Sequence, residues 1–227
     1  QNRDIDYEIN LLKDAFADVE PVVYNYDAAK KEEFWALLEE ADALLTALIV
    51  LDKEMLDHAK KLKLISLTST GYNFVDVKEA TKKNIAVIAV GEYCTNEVAD
   101  HAMALLLALN RKLKQYVDIV DQQKAWVYKK AGTIHVLKGQ KLGIFGLGKI
   151  GRAVALRAQA FGIEVVAYDP YLPKQMADDV GVTLVDPEYI MEQCDIISNH
   201  MIQTAEVENF FDRDFFGALK KAPMFLN

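Results

Sequence analysis

The sequence predicts an α/β protein in which helices flank parallel sheets. Short runs rich in β-branched residues alternate with longer helical patterns along the chain, which is typical of strand-helix-strand units. A length of 227 residues fits two modest domains. Hydrophobic residues make up 52% and charged residues 26% of the chain, a composition that supplies enough apolar material for a core.

Several short apolar segments have the length and composition of strands. Helical patterns fill the intervals between them, and this alternation favours parallel pairing because parallel strands need a crossover connection. The predicted strands are residues 19–23, 43–50, 64–68, 85–90, 141–145, 164–168, 182–185, 195–199 and 224–226.

The most distinct helical pattern follows Thr95, whose hydroxyl is predicted to cap the first turn. Acidic residues lie near its start and basic residues near its end, which complements the helix dipole. Its middle, residues 102–109, is apolar on nearly every side and is expected to be buried between layers or subunits. We interpret this helix as a hinge and place the domain boundary near Tyr93, which predicts one domain at residues 1–93 and another at 94–227.

Charge and cysteine usage exclude several classes of protein. The net charge of −8 and the scattered lysine pairs argue against a nucleic-acid partner, since affinity for a phosphate backbone depends on clustered Lys and Arg. Cys94 and Cys194 have no metal-ligand spacing around them, so we expect a reduced, cytoplasmic chain without a metal site.

No apolar stretch reaches the roughly 18 residues that span a bilayer, and no signal peptide is recognised. No membrane partner is therefore expected.

A glycine-rich turn gives the strongest functional signal. Residues 146–151 read GLGKIG and have the GxGxxG spacing, which is weak evidence by itself because it often occurs by chance. Here a predicted strand at 141–145 precedes the turn, a predicted helix at 150–161 follows it, and Gly162 ends that helix. This context indicates the phosphate-binding turn of a Rossmann domain; the alternative is a glycine turn in an α/β domain that binds no nucleotide.

Each residue of the turn has an expected role. Gly146 permits the tight bend, Gly148 lets the backbone approach a pyrophosphate, and Gly151 lets the helix pack closely on the strand. The helix N-terminus, with Ile150 in its first turn, directs amide donors and the positive end of the dipole towards the phosphates. Lys149 either contacts a phosphate or is a solvated residue of the first turn, and the sequence leaves both readings open.

The predicted strand at 164–168 ends at Asp169, 18 residues beyond Gly151. An acid at this position accepts hydrogen bonds from the adenosine ribose hydroxyls and repels a 2′-phosphate. The following Pro170 and Tyr171 provide no Arg to neutralise such a phosphate. The sequence therefore predicts NAD as the cofactor.

Three further segments complete a family pattern. They read STGYNFVD at residues 69–76, YCTNEVADH at 93–101 and DIISNH at 195–200. Together with the glycine turn, and in this order and spacing, they make the chain resemble the D-isomer-specific 2-hydroxyacid dehydrogenases over almost its whole length. The resemblance implies a flavodoxin-like substrate domain, interrupted by an NAD-binding Rossmann domain, with the active site in the cleft between them.

The resemblance also implies a substrate loop. Ser69, Thr70 and Gly71 match the family loop whose backbone amides hold the substrate carboxylate, and Thr70 matches a position that also approaches the nicotinamide end of NAD. A Ser-Thr-Gly turn after a buried strand agrees with this role, because ligands bind at the carboxyl ends of strands in open α/β sheets. Taken without the family, a capping turn that binds no ligand is the alternative.

His200, Met201 and Ile202 match the family segment that walls the cofactor. In the family the residue at His200 shapes the site and is not the acid. The sequence departs from the family pattern at Ile202 and at Gly91, where prolines are usual. Both changes leave the backbone less restrained than it is in the family.

The family's catalytic residues have no match in this chain. The resemblance implies an Arg that clamps the substrate carboxylate and carbonyl, and a His, held by a Glu, that passes the proton. By alignment we expect the Arg a few residues after Asn227, the Glu and His beyond it, and a first strand of the substrate domain before Gln1. We therefore expect the natural protein to extend at both ends and the given chain to be inactive as it stands.

The expected function is NAD-dependent interconversion of a 2-keto acid and a D-2-hydroxy acid by hydride transfer. Two alternatives use the same scaffold: an NAD(H)-responsive corepressor that binds partner peptides, and a formate dehydrogenase. A homodimer is expected because the helix after Thr95 is apolar nearly all round and the family pairs its NAD domains through this region. The residues present do not identify the hydroxy acid.

Overall fold

The computed structural model of the protein describes residues 5–227. The chain divides between Gly91 and Glu92 into two compact units, and each unit has its own parallel sheet. Helices connect the successive strands in both units. The predicted α/β class is confirmed.

The first unit contains a sheet of parallel strands in the order β1-β2-β3. The strands are β1 (Ala43–Thr46), β2 (Leu64–Leu67) and β3 (Ala86–Ala89). The helices are α1 (Ile5–Ala15), α2 (Lys31–Glu40), α3 (Lys53–Asp57) and α4 (Val77–Lys82), with a 3-10 turn at Ala28–Lys30 before α2.

Two aspartates determine where α3 and α4 begin. The Asp52 carboxylate accepts a hydrogen bond from Met55 N at 2.9 Å, and the Asp76 carboxylate accepts one from Glu79 N at 2.9 Å. Each aspartate thereby satisfies an amide that has no partner within its helix. The central strand β2 contributes two fully buried side chains to the core of this unit, Ile65 and Leu67.

The predicted strand at 19–23 is wrong. Residues 19–27 adopt neither strand nor helix, and Val22 and Val23 are 71% and 51% exposed. A β-rich composition does not form a strand without a neighbour to pair with, and no strand of the described residues pairs with this segment. The strand predicted at 43–50 is shorter than expected, since β1 ends at Thr46. The other predicted strands are present within one residue of their predicted bounds.

The second unit contains five parallel strands in the order β6-β5-β4-β7-β8. They are β4 (Lys141–Phe145), β5 (Glu164–Tyr168), β6 (Thr183–Leu184), β7 (Ile196–Asn199) and β8 (Met224–Leu226). The chain adds β5 and β6 on one side of β4, then returns to add β7 and β8 on the other. The sheet is therefore doubly wound, with a topological switch point between β4 and β7.

The helices of the second unit lie between these strands in the chain. They are α5 (Thr95–Asn110), α6 (Leu113–Asp121), α7 (Lys149–Ala160), α8 (Lys174–Asp178), α9 (Pro187–Gln193) and α10 (Arg213–Ala218), with a 3-10 turn at Tyr128–Ala131. Within the described part of the chain, no helix is both long enough and apolar enough to cross a membrane.

Helices α5 and α7 share the core of the second unit with β4 and β5. Arg157 of α7 also donates to Asp100 of α5, with 2.6 Å between Nε and Oδ1. Helix α7 ends as expected from Gly162, which has a φ of +75°. The Gly162 amide donates to Gln159 O at 2.8 Å, and the next amide, of Ile163, donates to the Ala158 carbonyl at 3.3 Å, which is a Schellman ending.

The predicted cap of α5 is wrong. Thr95 is already the first residue of the helix, Cys94 occupies the N-cap position, and no side chain caps the first turn. The Thr95 side chain hydrogen-bonds Glu92 instead. Burial of α5 is also partial, because Met103 and Leu106 are buried while other apolar residues of its middle, among them Leu105 and Leu109, are exposed.

Candidate functional site

The glycine turn follows β4 directly, and two of its glycines are required by the fold. Gly146 has a φ of +85°, and a Cβ at this position would lie 2.7 Å from Met201 N and 2.8 Å from the His200 carbonyl carbon. A side chain here would be strained by the backbone conformation and would also clash. At Gly151 a Cβ would collide with Gly146 O, so α7 packs against the turn as closely as predicted.

Gly148 differs from the other two glycines. It is the N-cap residue of α7, its φ is −65°, and no atom lies within 4 Å of where its Cβ would be. Packing within the protein therefore does not require glycine at this position. The open space lies at the N-terminus of a 12-residue helix, where free amides and the helix dipole favour an anion. The turn accordingly fits the pyrophosphate of a dinucleotide.

Asp169 follows β5 and faces the glycine turn. Its Oδ2 accepts a hydrogen bond from Leu147 N, inside the turn, at 2.9 Å. Its Oδ1 accepts from Tyr171 N at 3.1 Å and from Leu172 N at 3.2 Å. Three backbone amides thus hold the carboxylate in one orientation beside the turn.

The segment after β7 forms the opposite side of the site. His200 N donates to Phe145 O at 2.7 Å, Met201 N donates to Asn199 Oδ1 at 3.0 Å, and His200 Nε2 lies 2.9 Å from Ser198 Oγ. Burial lowers the pKa of the His200 imidazole to about 4, so the ring is neutral at neutral pH. The His200 ring is therefore held in place without a charge, and Ile202 two residues beyond it is exposed.

Aromatic rings anchor this segment on the sheet. Phe210 and Phe211 pack edge to face on Phe145, the last residue of β4, with ring centroids 5.4 and 5.1 Å apart. Phe211 also contacts Phe215 of α10 and Phe225 of β8, at 4.9 and 5.0 Å. The ring cluster holds the chain that follows β7 close to the glycine turn.

Lys149 is paired in a way that the sequence did not suggest. Its Nζ lies 2.7 Å from Glu92 Oε2, and this hydrogen bond is the main reason that the pKa of Glu92 is lowered. Lys149 therefore already has an anionic partner at the start of α7. The two residues are far apart in sequence, and no local spacing pattern could have predicted their contact.

The predicted substrate loop follows β2 in the first unit. Ser69 Oγ donates to Gly71 O at 2.9 Å, and Thr70 Oγ1 lies 3.4 Å from Gly91 O, to which it donates. Thr70 and Gly71 are exposed. The loop thus leaves the carboxyl end of a central parallel strand and is stabilised by its own hydroxyls.

Other titratable clusters do not compete with this site. Across residues 5–227, no group of three or more His, Cys, Asp or Glu side chains could hold a metal ion. Cys94 and Cys194 are both free thiols. Burial raises the pKa of the Cys194 thiol to about 12, so this cysteine is unreactive.

The strand order brings the loops after β4, β5 and β7 to one edge of the second sheet. Apart from Thr70, which lies in the first unit, the residues that the sequence predicted for a cofactor lie in these loops and at the start of α7: Gly146, Gly148, Lys149, Ile150, Gly151, Asp169, His200, Met201 and Ile202. Dinucleotides bind outside the carboxyl ends of strands at such a switch point. Fold and site together define the second unit as a Rossmann dinucleotide-binding domain.

Comparison with known proteins identifies the family. Residues 103–227 match the family model of the D-isomer specific 2-hydroxyacid dehydrogenase, NAD binding domain. The chain belongs to the D-isomer specific 2-hydroxyacid dehydrogenase family. The predicted family and the predicted NAD-binding Rossmann domain are both confirmed.

Individual relatives extend the likeness over most of the chain. A D-3-phosphoglycerate dehydrogenase of Methanocaldococcus jannaschii is 33% identical over 199 residues, which cover 87% of this chain and 38% of the relative. The glyoxylate reductase of Thermococcus litoralis is 32% identical over 228 residues, or 97% of this chain and 65% of the relative. A crystal structure of D-lactate dehydrogenase from Aquifex aeolicus, complexed with NAD and lactic acid, matches with a TM-score of 0.86 at 25% identity, covering 97% of this chain and 65% of that one. The chain thus spans 38% to 65% of the length of these relatives.

Proposed function

We propose that the protein is an NAD-dependent oxidoreductase that interconverts a 2-keto acid and a D-2-hydroxy acid. One observation carries the proposal: the open glycine turn at the switch point lies against a carboxylate, Asp169, that is fixed by hydrogen bonds to three amides, one of them in the turn. The relatives support the substrate class, because their names specify D-3-phosphoglycerate, glyoxylate and D-lactate, which are 2-hydroxy or 2-keto acids.

In this proposal the second unit binds the cofactor. Amides at the start of α7, next to Gly148, hold the pyrophosphate, while Asp169 accepts hydrogen bonds from the ribose hydroxyls and disfavours a 2′-phosphate. On the β7 side, the proposed cofactor site is bordered by His200, Met201 and Ile202. Once bound, the nicotinamide supplies or accepts the hydride.

The first unit binds the substrate in the same proposal. Backbone amides of the loop formed by Ser69, Thr70 and Gly71, of which the last two residues are exposed, hold the substrate carboxylate. The functional boundary then lies near Tyr93, with residues 1–93 serving the substrate and 94–227 the cofactor. Replacing Gly71 by Val should raise KM for the keto acid and leave the Kd of NADH unchanged, because the added side chain crowds the loop amides and leaves the second unit untouched.

The product of the complete gene provides the test of activity. It is mixed with NADH and, in separate reactions, pyruvate, hydroxypyruvate, glyoxylate, 2-ketoisocaproate and phosphohydroxypyruvate, and NADH absorbance is followed. We expect NADH oxidation with at least one keto acid and a product of D configuration. Failure to oxidise NADH with every keto acid at every pH would exclude the proposal, and NAD reduction by formate alone would replace it with formate oxidation.

We further propose that the protein is a cytoplasmic homodimer. In the second unit, α5, α6 and the chain that follows them carry exposed apolar residues: Leu105, Leu109, Val117, Val120 and Trp126, the last of which is 92% exposed. An exposed apolar surface of this kind favours association with a second copy. Sedimentation should show a dimer at micromolar concentration, and a stable monomer there would contradict this part of the proposal.

A further inference from the structure

A side-chain hydrogen bond joins the loop after β5 to the segment after β7. Tyr171 Oη donates to Glu206 Oε2 at 2.7 Å. Tyr171 lies two residues beyond Asp169, and its own amide donates to Asp169 Oδ1 at 3.1 Å. The Tyr171 side chain is 80% exposed, so burial in a core does not explain where it lies.

The strand order shows where this hydrogen bond lies. Strand β4 separates β5 from β7 in the sheet, and the glycine turn follows β4. Side chains from the loops after β5 and β7 can therefore meet only by reaching past the carboxyl end of β4. The Tyr171 to Glu206 bond accordingly spans the edge of the sheet at which the cofactor is proposed to bind.

The charge of the two segments is consistently negative. Hydrogen bonding to Glu206 raises the pKa of the Tyr171 phenol, so the phenol remains a donor at neutral pH. Residues 200–212 contain Glu206, Glu208 and Asp212 but no Lys or Arg. On the β5 side the first cation after Asp169 is Lys174, in the first turn of α8.

We propose that Glu206, positioned by Tyr171, is a second acidic determinant of cofactor selectivity that acts with Asp169 to exclude NADP. The inference rests on the proposed function, since it concerns the adenosine end of the same site. A 2′-phosphate brought to this edge would face two carboxylates, one on each neighbouring loop. Like charges oppose binding, whereas an unphosphorylated ribose offers hydroxyl donors to both carboxylates.

The experiment measures the Kd of NADH and of NADPH by calorimetric titration of the 227-residue chain and its variants. Glu206→Gln removes the charge and retains the shape of the side chain. Tyr171→Phe removes the hydrogen bond that positions Glu206. Glu208→Gln is the matched control, because it removes the same charge from an exposed position of the same segment.

We expect Glu206→Gln to tighten NADPH binding about three- to tenfold and to change NADH binding less than about twofold. Tyr171→Phe should also lower the ratio of the NADPH and NADH dissociation constants, by a smaller factor. Glu208→Gln should leave this ratio unchanged. Circular dichroism spectra of the variants establish that each one is folded.

Two results would overturn the inference while leaving the proposed function intact. One is wild-type selectivity for NADH in both Glu206→Gln and Tyr171→Phe. The other is an equal change in NADH and NADPH binding, which would show a general charge effect. A wild-type chain that binds neither NADH nor NADPH would instead contradict the proposed function itself.

Discussion

At the residue scale, glycine stands at positions 146, 148 and 151 for different physical reasons. Gly146 is required by its positive φ and by the backbone of His200 and Met201 beside it. Gly151 is required by the close approach of α7 to the turn. Gly148 has free space around it, so packing does not require glycine there, and we expect a bound pyrophosphate to require it.

Alanine substitutions separate these roles. Gly148→Ala should lower the free energy of unfolding by no more than about 1 kcal/mol, because Ala is a poorer N-cap than Gly. It should raise the Kd of NADH at least about tenfold, because the new methyl group fills the space of the phosphates. Gly146→Ala should lower the free energy of unfolding by roughly 2 kcal/mol or more, because it adds both strain and a clash. Gly217→Ala, at another position with free space, is the control for binding; since Gly217 lies in α10, its replacement by Ala should not lower stability. Urea denaturation measures the stability of each variant, and NADH titration measures its affinity. A Gly148→Ala variant with wild-type affinity for NADH would contradict the placement of the phosphates beside Gly148.

Acid should destabilise the protein through His200. Burial lowers the pKa of this imidazole from 6.5 to about 4, so on acidification the unfolded chain binds a proton before the native protein does. The stability that the protein owes to a neutral His200 ring is fully present above the unfolded pKa. It is lost as the pH falls from about 6.5 to about 4, which lowers the free energy of unfolding by up to roughly 3 kcal/mol.

Urea denaturation between about pH 7 and pH 5 checks this expectation. His200→Gln should flatten the dependence of the free energy of unfolding on pH in that window. His101→Gln, which replaces an exposed histidine of α5, should retain the wild-type slope. Equal slopes in the wild type and His200→Gln would show that the imidazole does not contribute.

Several single-residue features could be predicted from sequence because they depend on local geometry. The glycine turn and Asp169 follow from the spacing of a strand, a turn and a helix. The ion pair of Lys149 with Glu92 and the bond between Tyr171 and Glu206 join residues that are distant in sequence, and tertiary packing brings them together. Their charges are visible in the sequence, but their pairing is not.

At the element scale, buried central strands were the most predictable parts of the fold. Strands β4 and β5 have their predicted bounds because each is apolar after its first residue and mostly buried, as parallel strands are. The segment at 19–23 contains Pro21, which has no amide hydrogen to donate, and no strand of the described residues pairs with it, so it forms no strand. The Thr95 cap was wrong because the helix begins at Thr95 itself, a shift of one residue that propensity does not resolve.

At the same scale, the aromatic cluster packs the segment after β7 and α10 onto the sheet, and the sequence pattern did not predict it. Phe215→Ala removes a buried ring from between Phe145, Phe210 and Phe211, and should lower the free energy of unfolding by about 3 to 4 kcal/mol. NADH affinity should fall as well, because the rings hold the segment that contains His200. Phe216→Ala, at a more exposed neighbouring position, should cost less than about 1.5 kcal/mol.

Urea denaturation and NADH titration measure both quantities for the two variants. Equal losses of stability in Phe215→Ala and Phe216→Ala would show that burial in the cluster is not the source of the stabilisation. Unchanged NADH affinity in a destabilised Phe215→Ala would show that the cluster does not position the site.

At the scale of the whole molecule, the alternation of strands and helices sufficed to predict the fold class, and four motifs in order sufficed to predict the family. The reversal of strand order at β4 then brings segments far apart in sequence to one edge of one sheet. Substrate identity and assembly do not follow in the same way, because they depend on which side chains tertiary packing brings to one surface, and no local spacing pattern specifies this.

The central claim is that the second unit binds NAD at the glycine turn and that Asp169 selects it over NADP. The most direct measurement is the ratio of the NADPH and NADH dissociation constants for the wild type and for Asp169→Asn. We predict at least about a tenfold preference for NADH in the wild type and a clear loss of that preference in Asp169→Asn. Equal affinity of the wild type for both dinucleotides, or no binding of either, would contradict the account.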